Sequence, residues 1–175
     1  LEFRRVLFRS SAHRGQGDGL YACSILAVKG STGELKWFYQ EVPGDDWDYD
    51  SIADIMLADL RINGRDRKVL MHAPKDGFFY VIDRLTGEVI SADPITKVSW
   101  ATGMDAKGRP IVNPAARYGA TETVVVKPGP SGGHVWTPWT RSPITGLVYF
   151  AGTAGGSYNY RAADEYEPQQ IGRAH

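Results

Sequence analysis

A recurring segment sets the strongest limit on how this chain can fold. Ile25-Leu26-Ala27-Val28-Lys29-Gly30-Ser31-Thr32-Gly33-Glu34-Leu35-Lys36-Trp37 reads as a strand, a turn and a second strand. Phe79-Tyr80-Val81-Ile82-Asp83-Arg84-Leu85-Thr86-Gly87-Glu88-Val89-Ile90-Ser91 repeats it in step over 13 positions. Ser142-Pro143-Ile144-Thr145-Gly146-Leu147-Val148-Tyr149-Phe150 is a weaker third copy. Successive Thr-Gly pairs lie 54 and then 59 residues apart, at Thr32, Thr86 and Thr145. Each supplies a hairpin turn whose glycine is free to take a positive φ.

A repeat of about 50 residues made of short strands indicates a β-propeller. One four-stranded blade cannot bury both of its faces alone. The Trp or apolar residue after each turn is therefore expected to pack on the next blade. A β-sandwich with coincidental turns is the competing architecture, and the agreement of the first two copies argues against it. The expected fold is all-β: propeller blades, about two to three of them, forming an incomplete propeller. Propellers usually close with at least four blades, so the remaining blades of a longer chain are an expected partner. Residues 17–160 are assigned to the propeller. Residues 1–16 read as a leader and 161–175 as a tail, each disordered or foreign to the fold.

Between the first two copies, Asn63-Gly64 separates two apolar runs, Leu57–Ile62 and Val69–Met71, and marks a hairpin. Ile52–Met56 reads as a short helical turn. Residues 93–122, rich in Pro and Gly, read as an irregular excursion, and Thr121–Lys127 as a β-branched strand. Lys127–Gly133 (Lys-Pro-Gly-Pro-Ser-Gly-Gly) is a loop that turns, or lets backbone approach something closely.

Charge excludes one class of function. The chain carries 20 basic and 20 acidic residues, but residues 1–14 hold four arginines against one glutamate. The body is thus mildly acidic and has no basic stripe for nucleic acid. No apolar run approaches the ~18 residues of a membrane span. The single cysteine, Cys23, lies in an apolar run and reads as a structural thiol.

The densest chemistry is Gly44-Asp45-Asp46-Trp47-Asp48-Tyr49-Asp50. Four carboxylates this close repel one another unless a cation or a proton relieves them. The segment reads as a metal-proximal acid/base site or as a solvated acidic loop.

Several motifs then occur in order: Trp47-Asp48-Tyr49-Asp50, Ala73-Pro74-Lys75-Asp76-Gly77, Trp100-Ala101-Thr102-Gly103, Gly108-Arg109-Pro110 and Gly132-Gly133-His134-Val135-Trp136. Ala27, Thr32, Gly33 and Trp37 also follow a tryptophan-docking pattern. Together these resemble the pyrroloquinoline-quinone (PQQ) dependent alcohol dehydrogenases, periplasmic quinoproteins built on an eight-bladed propeller. The resemblance runs from about Gly17 to Tyr160.

The resemblance implies that Asp48 is the catalytic base, taking the alcohol proton as hydride passes to the quinone. It implies that Lys75 contacts the cofactor, and that Trp136 lies near it. Val135 departs from the family's usual Asn at that position. Asp48 and Asp50 are implied metal ligands for Ca²⁺ or a lanthanide ion. A second carboxylate suits a trivalent cation, and a solvated Asp50, or one that calcium tolerates, is the alternative. Asp45 and Asp46 are expected to shape the loop, His134 to be a polar loop residue, and Trp100 and Trp139 to pack between blades. The implied substrate is an alcohol-type small molecule, the implied electron acceptor a cytochrome c type protein, and the implied location the periplasm. A non-catalytic propeller acting as scaffold or binding module would keep the repeats, but has no need of Asp48, Asp50 and Lys75 together.

Overall fold

The computed structural model describes residues 17–119, 122–154 and 156–160. The expected leader at 1–16 and tail at 161–175 lie outside the described residues. Within them the chain is all-β, with twelve short strands and one 3-10 turn at Pro114–Ala116. No helix of the described residues is long and apolar enough to cross a membrane.

Strands β1 (Ser24–Val28) and β2 (Leu35–Gln40) form an antiparallel hairpin across Thr32-Gly33. Strands β3 (Met56–Ile62), β4 (Arg65–His72), β5 (Phe78–Asp83) and β6 (Val89–Pro94) form one four-stranded antiparallel meander, a complete blade. The hairpin β3–β4 turns at Asn63 and Gly64, both with positive φ (50° and 76°), the turn that Asn-Gly predicts.

The repeat is reproduced down to its hydrogen bonds. In the first copy Gly33 N donates to Lys29 O and Lys29 N to Glu34 O, both at 2.8 Å. Gly87 N to Asp83 O and Asp83 N to Glu88 O match them at 2.8 Å, and Gly146 N to Ser142 O and Ser142 N to Leu147 O at 2.9 Å. The threonine hydroxyls accept from the amide two residues on in all three copies. Even the irregularity recurs: the register slips between Ala27 and Val28 in β1, and between Val81 and Ile82 in β5, equivalent positions of the two copies. A weak third copy in sequence is thus a full third copy in turn geometry.

Both faces of the blade are covered. Phe78, Tyr80 and Ile82 of β5 join Leu70 of β4 in a core with Trp47, Tyr49 and Trp100. Phe79 and Val81 point the other way, with Val69 and Met71 of β4, against Trp139, Val148 and Phe150. Alternating side chains on strands buried on both faces are what stacked blades require. Trp37 keys two repeats together: its indole N–H donates to Arg84 O at 3.2 Å. Its ring lies where a Cβ on Gly87 would sit, 2.9 Å away.

Beyond the blade, β7 (Ala101–Met104) pairs with β8 (Pro110–Val112). Strand β9 (Val124–Val126) pairs with β12 (Tyr158–Tyr160), and β10 (Thr140–Arg141) with β11 (Val148–Tyr149). Two expectations need correction. Residues 52–55 contain no helical turn, because the carbonyls a helix would use are taken by side chains: Ala53 O by His72 Nε2 at 2.9 Å and Asp54 O by Trp139 Nε1 at 2.9 Å. The stretch 93–122 is not wholly irregular, since β7 and β8 form a hairpin closed by Gly108 N donating to Asp105 O at 2.9 Å. Of the strand expected at 121–127, residues 124–126 form it; residue 121 lies outside the described residues.

Candidate active site

The acidic segment follows β2 and obeys a simple alternation. Trp47 and Tyr49 are fully buried, whereas the side chain of Asp48 is 53% exposed and that of Asp50 32%. The aromatics anchor the loop. Trp47 Nε1 donates to Ala116 O at 3.1 Å, its ring centroid lies 5.5 Å from that of Trp100, and the Arg117 guanidinium sits 4.7 Å above it. Cys23 Sγ donates to Tyr49 O at 3.0 Å, which gives the lone thiol its structural role.

Asp45 and Asp46 shape the loop, as their position suggested. Asp45 Oδ1 accepts from Trp47 N at 3.0 Å and Tyr49 N at 3.4 Å. Asp46 is buried and paired with Arg117 at 2.5 Å. Arg117 also donates to the carbonyls of Gly44 and Pro43. Two of the four carboxylates are therefore consumed locally. The other two face outward, and Asp48 sits at φ 64°, a left-handed conformation uncommon outside glycine. Strain of this kind persists only where the surroundings enforce it, and it clusters at functional sites.

The second half of the site comes from the turn between β4 and β5. Lys75 has only 6% of its side chain exposed. Its Nζ donates to Asp50 Oδ2 at 2.6 Å and to Asp48 O at 3.0 Å, and lies 3.6 Å from Asp48 Oδ2. Two aspartates singled out from the sequence thus converge on the ammonium of a lysine also singled out there.

The turn is fixed on every side. Asp76 Oδ1 accepts from Phe78 N at 2.9 Å, Asp76 Oδ2 accepts from the Tyr80 hydroxyl, and Asp76 O accepts from Trp100 Nε1 at 2.8 Å. Burial, and secondarily the Glu41 charge, raise the Asp76 carboxyl well above its ordinary value, against the pull of Tyr80 and Phe78. The glycine loop closes over Lys75. A Cβ on Gly132 would lie 2.6 Å from Lys75 Cα, and Gly133 N donates to Lys75 O at 3.1 Å. Lys75 is therefore one of the groups this loop was expected to let backbone approach.

His134 is buried rather than a polar loop residue. Its ring nitrogens lie 2.6 Å from Ala73 O and 3.1 Å from Thr137 O, so it pins the start of the lysine turn. Trp100 and Trp139 pack in the two cores, as expected. Trp136 is 68% exposed, and none of the contacts described for Asp48, Asp50 or Lys75 involves it.

Sequence reasoning passed over a buried polar group beneath the loop. Glu41 and His72 are 0% and 1% exposed, with His72 Nδ1 2.5 Å from Glu41 Oε1. Burial pushes the His72 pKa down, but the Glu41 charge, its hydrogen bond and the Ala53 carbonyl outweigh that and leave it raised. The available signal was one ionisable residue at the end of each of two strands whose inner ends are apolar.

Asp48 and Asp50 offer carboxylate oxygens, the donors a hard cation takes. Among the described residues no group of three or more His, Cys, Asp or Glu side chains forms a metal cage. The pair fits a metal as two ligands of a larger set.

Stacked antiparallel blades keyed by a tryptophan on a Thr-Gly turn define the β-propeller class, and the Asp–Lys–Asp cluster gives this one an ionic site at a blade junction. The family model for the glucose/ethanol/alcohol dehydrogenase β-propeller domain (PQQ) matches residues 9–113, and the chain belongs to that family. It is 52% identical over 133 residues to the quinohemoprotein alcohol dehydrogenase of Comamonas testosteroni, covering 76% of this chain and 19% of that enzyme. The crystal structure of that enzyme superposes with a TM-score of 0.77 at 48% identity, over 82% of this chain and 22% of the other. The 1-butanol dehydrogenase (cytochrome c) of Thauera butanivorans is 48% identical over 134 residues, 77% of this chain and 19% of that enzyme. A europium-containing methanol dehydrogenase matches with a TM-score of 0.77 at 32% identity, over 86% of this chain and 30% of that one. The chain spans about a fifth of the length of the curated relatives it matches.

Proposed function

We propose that this chain supplies the acid/base pole of a PQQ-dependent dehydrogenase that oxidises an alcohol-type substrate. The observation that carries the reading is the convergence of Asp48 and Asp50 on the buried Lys75 ammonium. A solvated acidic loop has no use for a lysine with 6% of its side chain exposed.

Asp48 is the base. Its half-exposed carboxylate accepts the substrate hydroxyl proton as the carbinol carbon gives up hydride and becomes a carbonyl. PQQ, when bound, supplies the quinone that takes up that hydride. Lys75 holds positive charge beside the reacting groups and favours the negative charge that builds there. It also faces the Asp48 carboxylate, 3.6 Å away. Asp48 and Asp50 would hold the metal together with ligands from other blades. The carboxylate of Asp50 favours a lanthanide ion over Ca²⁺ by adding anionic charge. Trp136, exposed in this structure, is the aromatic residue assigned to the cofactor. The chain works with the remaining blades of its protein, in the periplasm, and passes electrons to a cytochrome c type acceptor. The relatives named quinohemoprotein and cytochrome c linked support that acceptor.

The test uses the full-length protein, reconstituted with PQQ and either Ca²⁺ or La³⁺. Alcohol-dependent dye reduction is expected, with La³⁺ the better ion and that preference lost in Asp50→Ala. An absence of PQQ binding and of dye reduction with either ion, across alcohols and sugars, would leave the non-catalytic propeller as the reading.

A further inference from the structure

The Glu41–His72 pair lies outside the acidic site, yet the side-chain hydrogen bonds described from the pair to other residues both end on the loop that carries that site. Glu41 Oε2 accepts from the hydroxyl of Ser51, the residue after Asp50. Glu41 Oε1 meets His72 Nδ1 at 2.5 Å, and His72 Nε2 meets Ala53 O at 2.9 Å. Both imidazole nitrogens therefore face acceptors, a geometry that the doubly protonated ring satisfies. Both carboxylate oxygens of Glu41 are also satisfied. The result is a complete ion pair with 0% and 1% of its side chains exposed.

Such a pair is an expensive way to fill a core. Well-packed apolar residues of similar volume are often as stabilising or more so. In the same structure Trp47, Tyr49 and Trp100 show that this core can fill its volume with rings, at centroid separations of 5.5 to 5.9 Å. Residues 51–53 are held by charge instead. The ion pair grips that stretch at two points, a side-chain hydroxyl and a main-chain carbonyl. The loop is thus held upstream by buried aromatics and downstream by buried charge, with Asp48 and Asp50 presented between.

We infer that Glu41 and His72 are positioning residues that act through Ser51 to set the Asp50 carboxylate against Lys75 and the metal. The inference rests on the reading of Asp50 as a metal ligand. Groups behind a ligand that fix its orientation are commonly worth ten- to a hundredfold in metal affinity or activity.

The test is Tb³⁺ binding to the PQQ-free full-length protein, followed by luminescence sensitised through the loop tryptophan. Ser51→Ala removes one hydroxyl from an otherwise intact fold. It is expected to weaken Tb³⁺ binding about tenfold with little change in melting temperature, and Ser51→Thr, which keeps the hydroxyl, to restore most of the loss. Glu41→Gln is expected to weaken binding at least as much. Should that variant unfold, the Ser51 pair decides alone. Asp50→Ala is the reference. If Asp50→Ala loses Tb³⁺ affinity while Ser51→Ala and Glu41→Gln bind as wild type does, the positioning role is overturned and the ligand reading stands. If Asp50→Ala also binds as wild type does, both are overturned.

Discussion

Lys75 Nζ lies 2.6 Å from Asp50 Oδ2, although strands β3 and β4 separate the two residues along the chain. The contact joins the loop after β2 of one repeat to the β4–β5 turn of the next. The site therefore exists only because blades stack, and the same packing that stabilises the propeller assembles the charges.

Replacing Lys75 tests the ionic centre. Lys75→Ala leaves the Asp50 carboxylate without its partner and removes the positive charge next to Asp48. A fall in kcat of roughly 10²- to 10³-fold is expected, the scale seen when a preorganised electrostatic group is lost. Steady-state dye reduction by the full-length protein measures it, and Lys75→Arg should recover part of the activity, because the charge returns with a different shape.

Gly132 is the steric limit on that lysine. Its φ is 72°, and a Cβ there would meet Lys75 Cα at 2.6 Å and Lys75 Cβ at 2.7 Å. Neither atom is the far end of a flexible chain, so backbone must move. Gly132→Ala is expected to destabilise the protein by about 1–3 kcal/mol, read as a lower denaturant midpoint. It should also lower activity by more than Gly64→Ala, where a Cβ meets nothing within 4 Å.

The docking contact between repeats predicts a second glycine effect, on stability alone. Gly87 has φ 79°, and a Cβ there would meet the Trp37 ring at 2.9 Å. Gly87→Ala and Trp37→Ala should each cost roughly 2–4 kcal/mol. The double variant should cost less than the sum, since the two residues share one contact. Chemical denaturation of the four proteins in a mutant cycle measures the shortfall.

The buried pair beneath the loop makes stability depend on pH in a definite direction. The His72 pKa is raised above its ordinary 6.5. The native state then holds a proton that the unfolded chain releases, so this contribution is complete below about pH 6.5 and is lost as pH rises through the folded value. Asp76 acts with the same sign: its carboxyl, raised well above 3.8 by burial first and Glu41 next, binds a proton that the unfolded chain gives up. Melting temperature should therefore decline as pH rises, from about 3.8 upward for the Asp76 contribution and from about 6.5 upward for that of His72. His72→Gln should flatten the part of that decline due to the imidazole, while the part due to Asp76 remains.

Much of this was legible in the residues. Thr32-Gly33 and Thr86-Gly87 carry their structure locally, because the turn hydrogen bonds are made by backbone and hydroxyl groups within six residues. Asn63-Gly64 does the same. The Trp-Asp-Tyr-Asp order already holds the in–out alternation that buries Trp47 and Tyr49 and exposes Asp48 and Asp50. What failed was non-local. Ile52–Met56 looked helical because no local signal shows that His72 and Trp139 would take its carbonyls. Arg117, 71 residues from Asp46, carries no motif. His134 looked like a polar loop residue until the fold brought Ala73 O to its ring. The weak third repeat lacks the tryptophan but keeps the turn, since the turn depends on Thr145 and Gly146 rather than on what packs beyond them.

The central claim is that Asp48 is the base, and Asp48→Asn tests it most directly. Asn is among the few residues that accept the left-handed conformation Asp48 adopts at φ 64°, so the loop should hold while proton acceptance is lost. The measurement is single-turnover alcohol oxidation by the full-length protein loaded with PQQ and metal, wild type against Asp48→Asn. A rate lower by at least 10²-fold, the lower end of what a positioned base supplies, with PQQ still bound, is the predicted result. A rate within a few-fold of wild type would contradict the account.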